Sequence, residues 1–131
     1  MRGFKQIPHV HFQPAWTSAP VTSASTIRII LVMMLMGSGY AHIIDVCSAS
    51  LLGLFGEHEP KLYANIPKGW EHKIPKGTVL LLLKTVYGLK QAANEFYRLL
   101  VASMVELGYV KSPADPCLYY KWDDGLLAHL D

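Results

Sequence analysis

Apolar residues recur at helical spacing in two stretches of the chain, and this pattern predicts two long helices. The first helix is expected from about residue 20 to residue 36, where apolar positions follow every three or four residues at Ala24, Ile27, Leu31 and Leu35. Its run 29–36 is shorter than the roughly 20 residues that cross a bilayer. Because the stretch is apolar almost all round, we expect a buried helix.

The second helix is expected from about residue 90 to residue 107, with Gly108 as its C-terminal stop. The apolar stripe that should face the core consists of Phe96, Leu100, Met104 and Leu107. The face expected to meet water carries Glu95, Arg98 and Glu106. This alternation of apolar and charged faces is typical of an amphipathic helix packed on a core.

Shorter apolar runs bounded by Gly, Pro and Asp predict the strands. We expect strands at 40–46, which ends near Asp45, at 62–66, and at 79–86, whose continuous apolarity indicates burial on both faces. A hairpin is expected from 117–122 and 126–130, turned by Asp124-Gly125. The sequence therefore predicts an α+β domain with an antiparallel sheet backed by two long helices.

Composition narrows the class of protein but not its chemistry. The chain has 131 residues, 51% hydrophobic and 17% charged, which is typical of one globular domain and excludes a disordered chain. The net charge of +2 is too small to indicate nucleic-acid binding by itself. Cys47 and Cys117 give neither a zinc motif nor a disulfide framework. We expect no signal peptide, because no apolar stretch follows the first basic residues.

The segment 79–97 carries the most specific signal: an apolar run, a tight turn and a helix start that reads Tyr87-Gly88-Leu89-Lys90-Gln91-Ala92. It resembles the YGLKQA motif in the reverse transcriptases of copia-type retrotransposons. Further pieces resemble the same family in the same order: 2–6 (RGFKQ), 19–28 (its APV…IR segment), 42–46 (HIIDV), 62–70 and 107–119 (LGY, then SPADPCLY). The resemblance spans about residues 2–126.

The resemblance implies part of a right-hand polymerase, with a remnant of the fingers at 1–18 and mostly palm at 19–131. The implied reaction is RNA-directed DNA synthesis from dNTPs on a template–primer, by a two-metal mechanism with Mg²⁺. Asp45 corresponds to the first catalytic carboxylate and metal ligand. An intracellular location without a membrane partner is implied, and other parts of a retrotransposon polyprotein are possible partners.

The remaining site residues follow from the same resemblance. Lys90 and Gln91 would line the nucleotide and template site, and Ser50 stands where the family has an aromatic that excludes a 2′-hydroxyl. Arg2 and Lys5 would help to grip the triphosphate, although solvated terminal charges explain them equally well.

The family's second carboxylate site is a paired Asp in a YVDD-like motif, and the chain departs from it. Asp131 is the candidate for the first of that pair, without the preceding Tyr-Val, and Asp123-Asp124 is better explained as a turn. We therefore expect a truncated and inactive copy of a reverse transcriptase. The alternatives are a non-catalytic nucleic-acid-binding or interaction fragment, and an α+β domain whose matches are fortuitous.

Overall fold

The computed structural model describes residues 5–56, 59–123 and 126–130. Its elements, in chain order, are α1 (Ala24–Met36), β1 (Tyr63–Ala64), β2 (Leu80–Leu81), α2 (Ala92–Glu106), β3 (Val110–Lys111), β4 (Tyr119–Asp123) and β5 (Leu126–Leu130). Single turns of 3₁₀ helix lie at Pro14–Trp16 and Ala49–Leu51. Neither helix in this part of the chain is both long and apolar enough to cross a membrane.

The chain divides into two compact units, and the first comprises Met1–Ser18 and Ser48–Leu99. In it, β1 and β2 pair antiparallel, with Tyr63 opposite Leu81. The core of this unit is small: three buried residues form its centre, with three half-buried ones packed around them, and these are Leu62, Leu89 and Ala92 with Phe55, Leu82 and Val86.

The second unit comprises Ala19–Cys47 and Leu100–Asp131. It contains α1 and an antiparallel sheet in the order β3-β4-β5, whose β4–β5 register shifts between Lys121 and Trp122. Helix α1 begins where the Ser23 hydroxyl accepts a hydrogen bond from the Thr26 N–H, a standard N-cap. It ends at Gly37, whose N–H donates to Met33 O.

Several sequence predictions are confirmed. The α+β class holds, both helices form within a few residues of their predicted bounds, and the two strands of the C-terminal hairpin pair as expected. The predicted turn residues Asp124 and Gly125 lie outside the described residues. Gly108 ends α2 with φ +86°, and Gly88 turns the chain with φ +89°, conformations that favour glycine.

The strand predicted at 40–46 is wrong, because this stretch has no regular structure. Tyr40, Ile43 and Ile44 are fully or nearly fully exposed. A strand persists only when its N–H and C=O groups pair with a neighbour, and none of the strands in the described ranges lies beside this stretch. Asp45 therefore lies on an irregular stretch and not, as the sequence predicted, at the end of a strand.

The strand predicted at 79–86 is also much shorter than expected. Only Leu80–Leu81 forms β2, with β1 as its one partner, and the strand predicted at 62–66 shrinks to Tyr63–Ala64. Val79 and Leu83 are exposed, so the expected burial on both faces is wrong. The single sheet of the prediction is replaced by two small sheets within the described part of the chain.

The predicted faces of the helices need correction as well. Most apolar side chains of α1 are exposed, including Ile29, Leu35 and Met36, so α1 is not the buried helix that its composition suggests. In α2 the fully buried residues are Ala92 and Glu95, whereas predicted core residues Leu100 and Leu107 are exposed. Glu95 was assigned to the face expected to meet water. Its burial follows from contacts with residues that are distant from it in sequence.

Candidate functional site

A network of side-chain amides joins the N-terminal segment to the start of α2. The Gln6 Oε1 accepts a hydrogen bond from Lys90 N at 2.8 Å, and Gln6 Nε2 donates to Gln91 Oε1 at 2.9 Å. Gln91 Nε2 in turn donates to His11 O at 3.2 Å. Both glutamines are buried. Because three hydrogen bonds converge there, the chain around residues 6–11 holds the backbone at 90–91 in place.

Lys90 presents an exposed cation from this anchored turn. Its side chain is exposed, and its Nζ lies 4.9 Å from the centroid of the Phe12 ring, within the range of a cation–π contact. Lys5, the neighbour of the buried Gln6, is exposed too, whereas Arg2 lies outside the described residues. A fixed backbone with an exposed ammonium is an arrangement suited to a phosphate.

Gln91 has a different environment from Lys90. Its side chain is only 3% exposed, and both of its polar atoms already bond within the protein. The structure therefore gives it an anchoring contact with the N-terminal segment. Its predicted contact with nucleotide or template stays a prediction.

Ser50 lies in the 3₁₀ turn Ala49–Leu51, which is fastened to the chain before α2 by Thr85. The Thr85 hydroxyl donates to Ser50 O at 2.8 Å and lies 3.2 Å from Gly53 O, which also accepts from Thr85 N at 3.0 Å. Thr85 is 1% exposed, so its hydroxyl is shielded from water. The role of Thr85 was not predicted from the sequence, where the available signal is a single hydroxyl residue at the end of an apolar run.

Asp45 lies on an exposed, irregular stretch of the second unit. Its predicted companion Asp131, and Asp124 of the Asp-Asp pair, are beyond the ranges that the structure describes, and Asp123 is the last residue of β4. Within those ranges no three His, Cys, Asp or Glu residues cluster closely enough to hold a metal ion. The predicted magnesium site at Asp45 therefore stays a prediction.

Comparison with known proteins places these features in a family. The sequence model described as "Reverse transcriptase (RNA-dependent DNA polymerase)" matches residues 1–128. The "Retrovirus-related Pol polyprotein from transposon TNT 1-94" of Nicotiana tabacum is 32% identical over 121 residues, which is 92% of this chain and 9% of that protein.

Two further relatives come from Arabidopsis thaliana. The Pol polyproteins from transposons RE2 and RE1 are each 31% identical over 118 residues, which is 90% of this chain and 8% of each relative. The chain therefore spans less than a tenth of the length of the curated relatives that it matches. No solved structure matches the chain.

Proposed function

The chain belongs to the reverse transcriptase (RNA-dependent DNA polymerase) family, and from that premise we propose that its 131 residues form the part of such a polymerase that carries the first catalytic carboxylate and contacts nucleic acid. The fingers would begin the chain, at 1–18, and the palm would follow at 19–131. The observation that carries the nucleic-acid part of the proposal is the anchored turn at Lys90. There a buried amide network fixes the backbone and leaves the ammonium exposed.

The roles proposed for the other residues follow from their positions in the family motifs. Lys90 and Gln91 would line the nucleotide and template site, Lys90 through contacts with phosphates, and Arg2 and Lys5 would help to grip the triphosphate. Ser50 would lie beneath the sugar of the incoming nucleotide. With a hydroxyl in place of an aromatic ring, it would discriminate poorly against a 2′-hydroxyl.

Asp45 is proposed as the first carboxylate ligand of the catalytic metals, with Asp131 as the candidate for the second. Two-metal transfer needs carboxylates that converge on one point. Within the described ranges no three His, Cys, Asp or Glu residues cluster closely enough to hold a metal ion, and we therefore assign no chemical step to these residues. We propose that the chain by itself does not catalyse DNA synthesis. A non-catalytic nucleic-acid-binding fragment is the second candidate, favoured by the exposed Lys90.

Primer extension tests this proposal. The purified chain, mixed with an RNA template, a DNA primer, dNTPs and Mg²⁺ or Mn²⁺, is expected to give no extended primer, because one secure carboxylate cannot hold two metals. Asp45→Ala is compared with Glu71→Ala, which removes another exposed carboxylate. Robust extension that is lost in Asp45→Ala but kept in Glu71→Ala would refute inactivity while confirming the site.

A further inference from the structure

Two glutamates are buried together in the first unit. Glu95 lies in the first turn of α2 with a residue exposure of 4%, and the side chain of Glu59 is 5% exposed. On each of them the Oε1 atom is shielded from solvent, and no N–H or hydroxyl group of the described residues donates a hydrogen bond to it. Ionised carboxylates are rarely buried without full compensation, because desolvation disfavours the charged form.

One cation reaches both carboxyl groups. The Arg98 Nη1 lies 3.5 Å from Glu95 Oε1 and 3.6 Å from Glu59 Oε1. The Arg98 side chain is 57% exposed, so water screens its charge more than it screens the two glutamates. The two ion-pair contacts of Arg98 thus bring Glu59 and Glu95 to the same nitrogen atom. One partly screened cation cannot neutralise two buried anions.

The electrostatics of Glu59 agree with this geometry. The pKa of Glu59 is raised from 4.5 to about 7: burial contributes most, a hydrogen bond with Glu95 and the negative charge of Glu95 contribute in the same direction, and Arg98 opposes the shift. A carboxyl pair of this kind holds one proton between its two members over a range in which isolated glutamates are ionised.

Glu95 also supports the neighbouring backbone. Gly53 lies so close that a Cβ atom on it would be 2.8 Å from Glu95 Cβ and 2.7 Å from Thr85 Oγ1. The chain between Ser50 and Gly53 is held by Thr85 on one side, and at Gly53 it rests directly on Glu95. The backbone at Gly53 therefore packs directly on the first turn of α2.

We propose that Glu59 and Glu95 form a proton-sharing carboxyl pair that locks the chain at Gly53 and Glu59 onto the first turn of α2, and that loss of the shared proton releases this lock. With both carboxylates ionised, repulsion and desolvation drive Glu59 out to water. The packing at Gly53 then loosens, together with the turn that carries Ser50. The consequence for a nucleotide at Ser50 rests on the proposed function, whereas the lock itself does not.

The direction of the pH dependence follows from the raised pKa. The folded chain binds the proton more tightly than the unfolded chain, so the contribution of the pair to stability is complete below about pH 4.5. It is lost as the pH rises through about 7. Ordinary buried salt bridges behave in the opposite way, since they weaken as the pH falls.

Hydrogen exchange read by mass spectrometry tests the lock without nucleic acid, so its outcome is separable from that of primer extension. The measured quantity is the backbone amide exchange rate of peptides that contain Gly53 and Thr85, corrected for the intrinsic effect of pH. In the unmodified chain this rate is expected to increase about tenfold between about pH 5 and about pH 8. Glu59→Gln and, separately, Glu95→Gln mimic the protonated state and should remove this acceleration. Glu106→Gln, an exposed position of α2, should retain it.

Equal pH dependence in the unmodified chain and in a folded Glu59→Gln or Glu95→Gln variant would overturn the proposal. Corrected exchange in the unmodified chain that is constant from about pH 5 to about pH 8 would overturn it as well, even if neither variant folds.

Discussion

Asp115 illustrates how a single motif residue organises its surroundings. Its carboxylate accepts hydrogen bonds from the Thr26 hydroxyl, from Ser23 N at 3.1 Å and from Cys117 N at 2.8 Å. These donors lie at the N-terminus of α1 and in the turn before β4. Asp115 therefore fastens the start of α1 to the hairpin of the second unit, a structural role that its place in the SPADPCLY segment did not reveal.

Removal of the Asp115 charge should destabilise the chain in a pH-dependent way. The hydrogen bond from Thr26, followed by those from Cys117 and Ser23, lowers the pKa of Asp115 below 3.8. Its stabilising contribution is thus present above about pH 3.8 and is lost as the pH falls through the lower, folded-state pKa.

The urea midpoint of Asp115→Asn is expected to fall at about pH 7, with a smaller difference from the unmodified chain at about pH 3. Asp45→Asn makes the same chemical change at an exposed position of the same unit and should leave the midpoint unchanged. If the urea midpoint of Asp115→Asn lies below that of the unmodified chain by the same amount at both pH values, the stabilisation does not depend on the charge of Asp115.

Residue-scale contacts were the least predictable from the sequence. Glu95 was placed in water because a glutamate at the surface of an amphipathic helix is normally solvated. Its burial depends on Gly53 and Glu59, which are about 40 positions away and carry no local signal of the contact. The pairing of Gln6 with Gln91 could not be predicted either, although both residues lie in recognised motifs.

At the scale of elements, the predictions were correct where the signals that determine an element lie within its own segment. Both helices have apolar periodicity and a local stop, Gly37 or Gly108, and both form. Strands depend on a partner. Within the described residues the run 40–46 pairs with no strand, and the run 79–86 pairs with β1 at Leu80–Leu81 and with Leu54 at an isolated bridge through Lys84. β-propensity alone therefore overestimated them.

The packing between the Ser50–Gly53 chain and α2 can be tested at Gly53. In Gly53→Ala the new methyl group would lie 2.7 Å from Thr85 Oγ1 and 2.8 Å from Glu95 Cβ. The expected loss is about 1–3 kcal/mol of unfolding free energy, the usual cost of overpacking.

Gly56→Ala is the matched control, because its nearest atom would be Glu59 Cγ at 3.9 Å. This control should change stability by less than about 0.5 kcal/mol. Similar stability of the two variants in chemical denaturation would show that the close approach at Gly53 does not persist in solution.

At the scale of the whole molecule, family and geometry contribute different parts of the account. Family membership rests on the family's sequence model, which matches 128 of the 131 residues. It also rests on relatives that are 31–32% identical to the chain, although the chain spans only 8–9% of their length. The geometry adds an anchored basic turn in one unit and, in the other, an exposed stretch with Asp45. Large apolar side chains on α1 and at 40–46 are open to solvent, a feature typical of surfaces that meet other protein.

The central claim, that the turn before α2 faces nucleic acid, is tested most directly by a salt titration of primer–template binding. We predict weak binding, and we expect the logarithm of the affinity to fall linearly with the logarithm of salt concentration. In Lys90→Ala the affinity should fall and the slope should decrease by about 1, the signature of one lost phosphate contact. Lys73→Ala, whose ammonium lies over Trp70 in the same unit, should leave both unchanged. Equal slopes and affinities for Lys90→Ala and the unmodified chain would contradict the account.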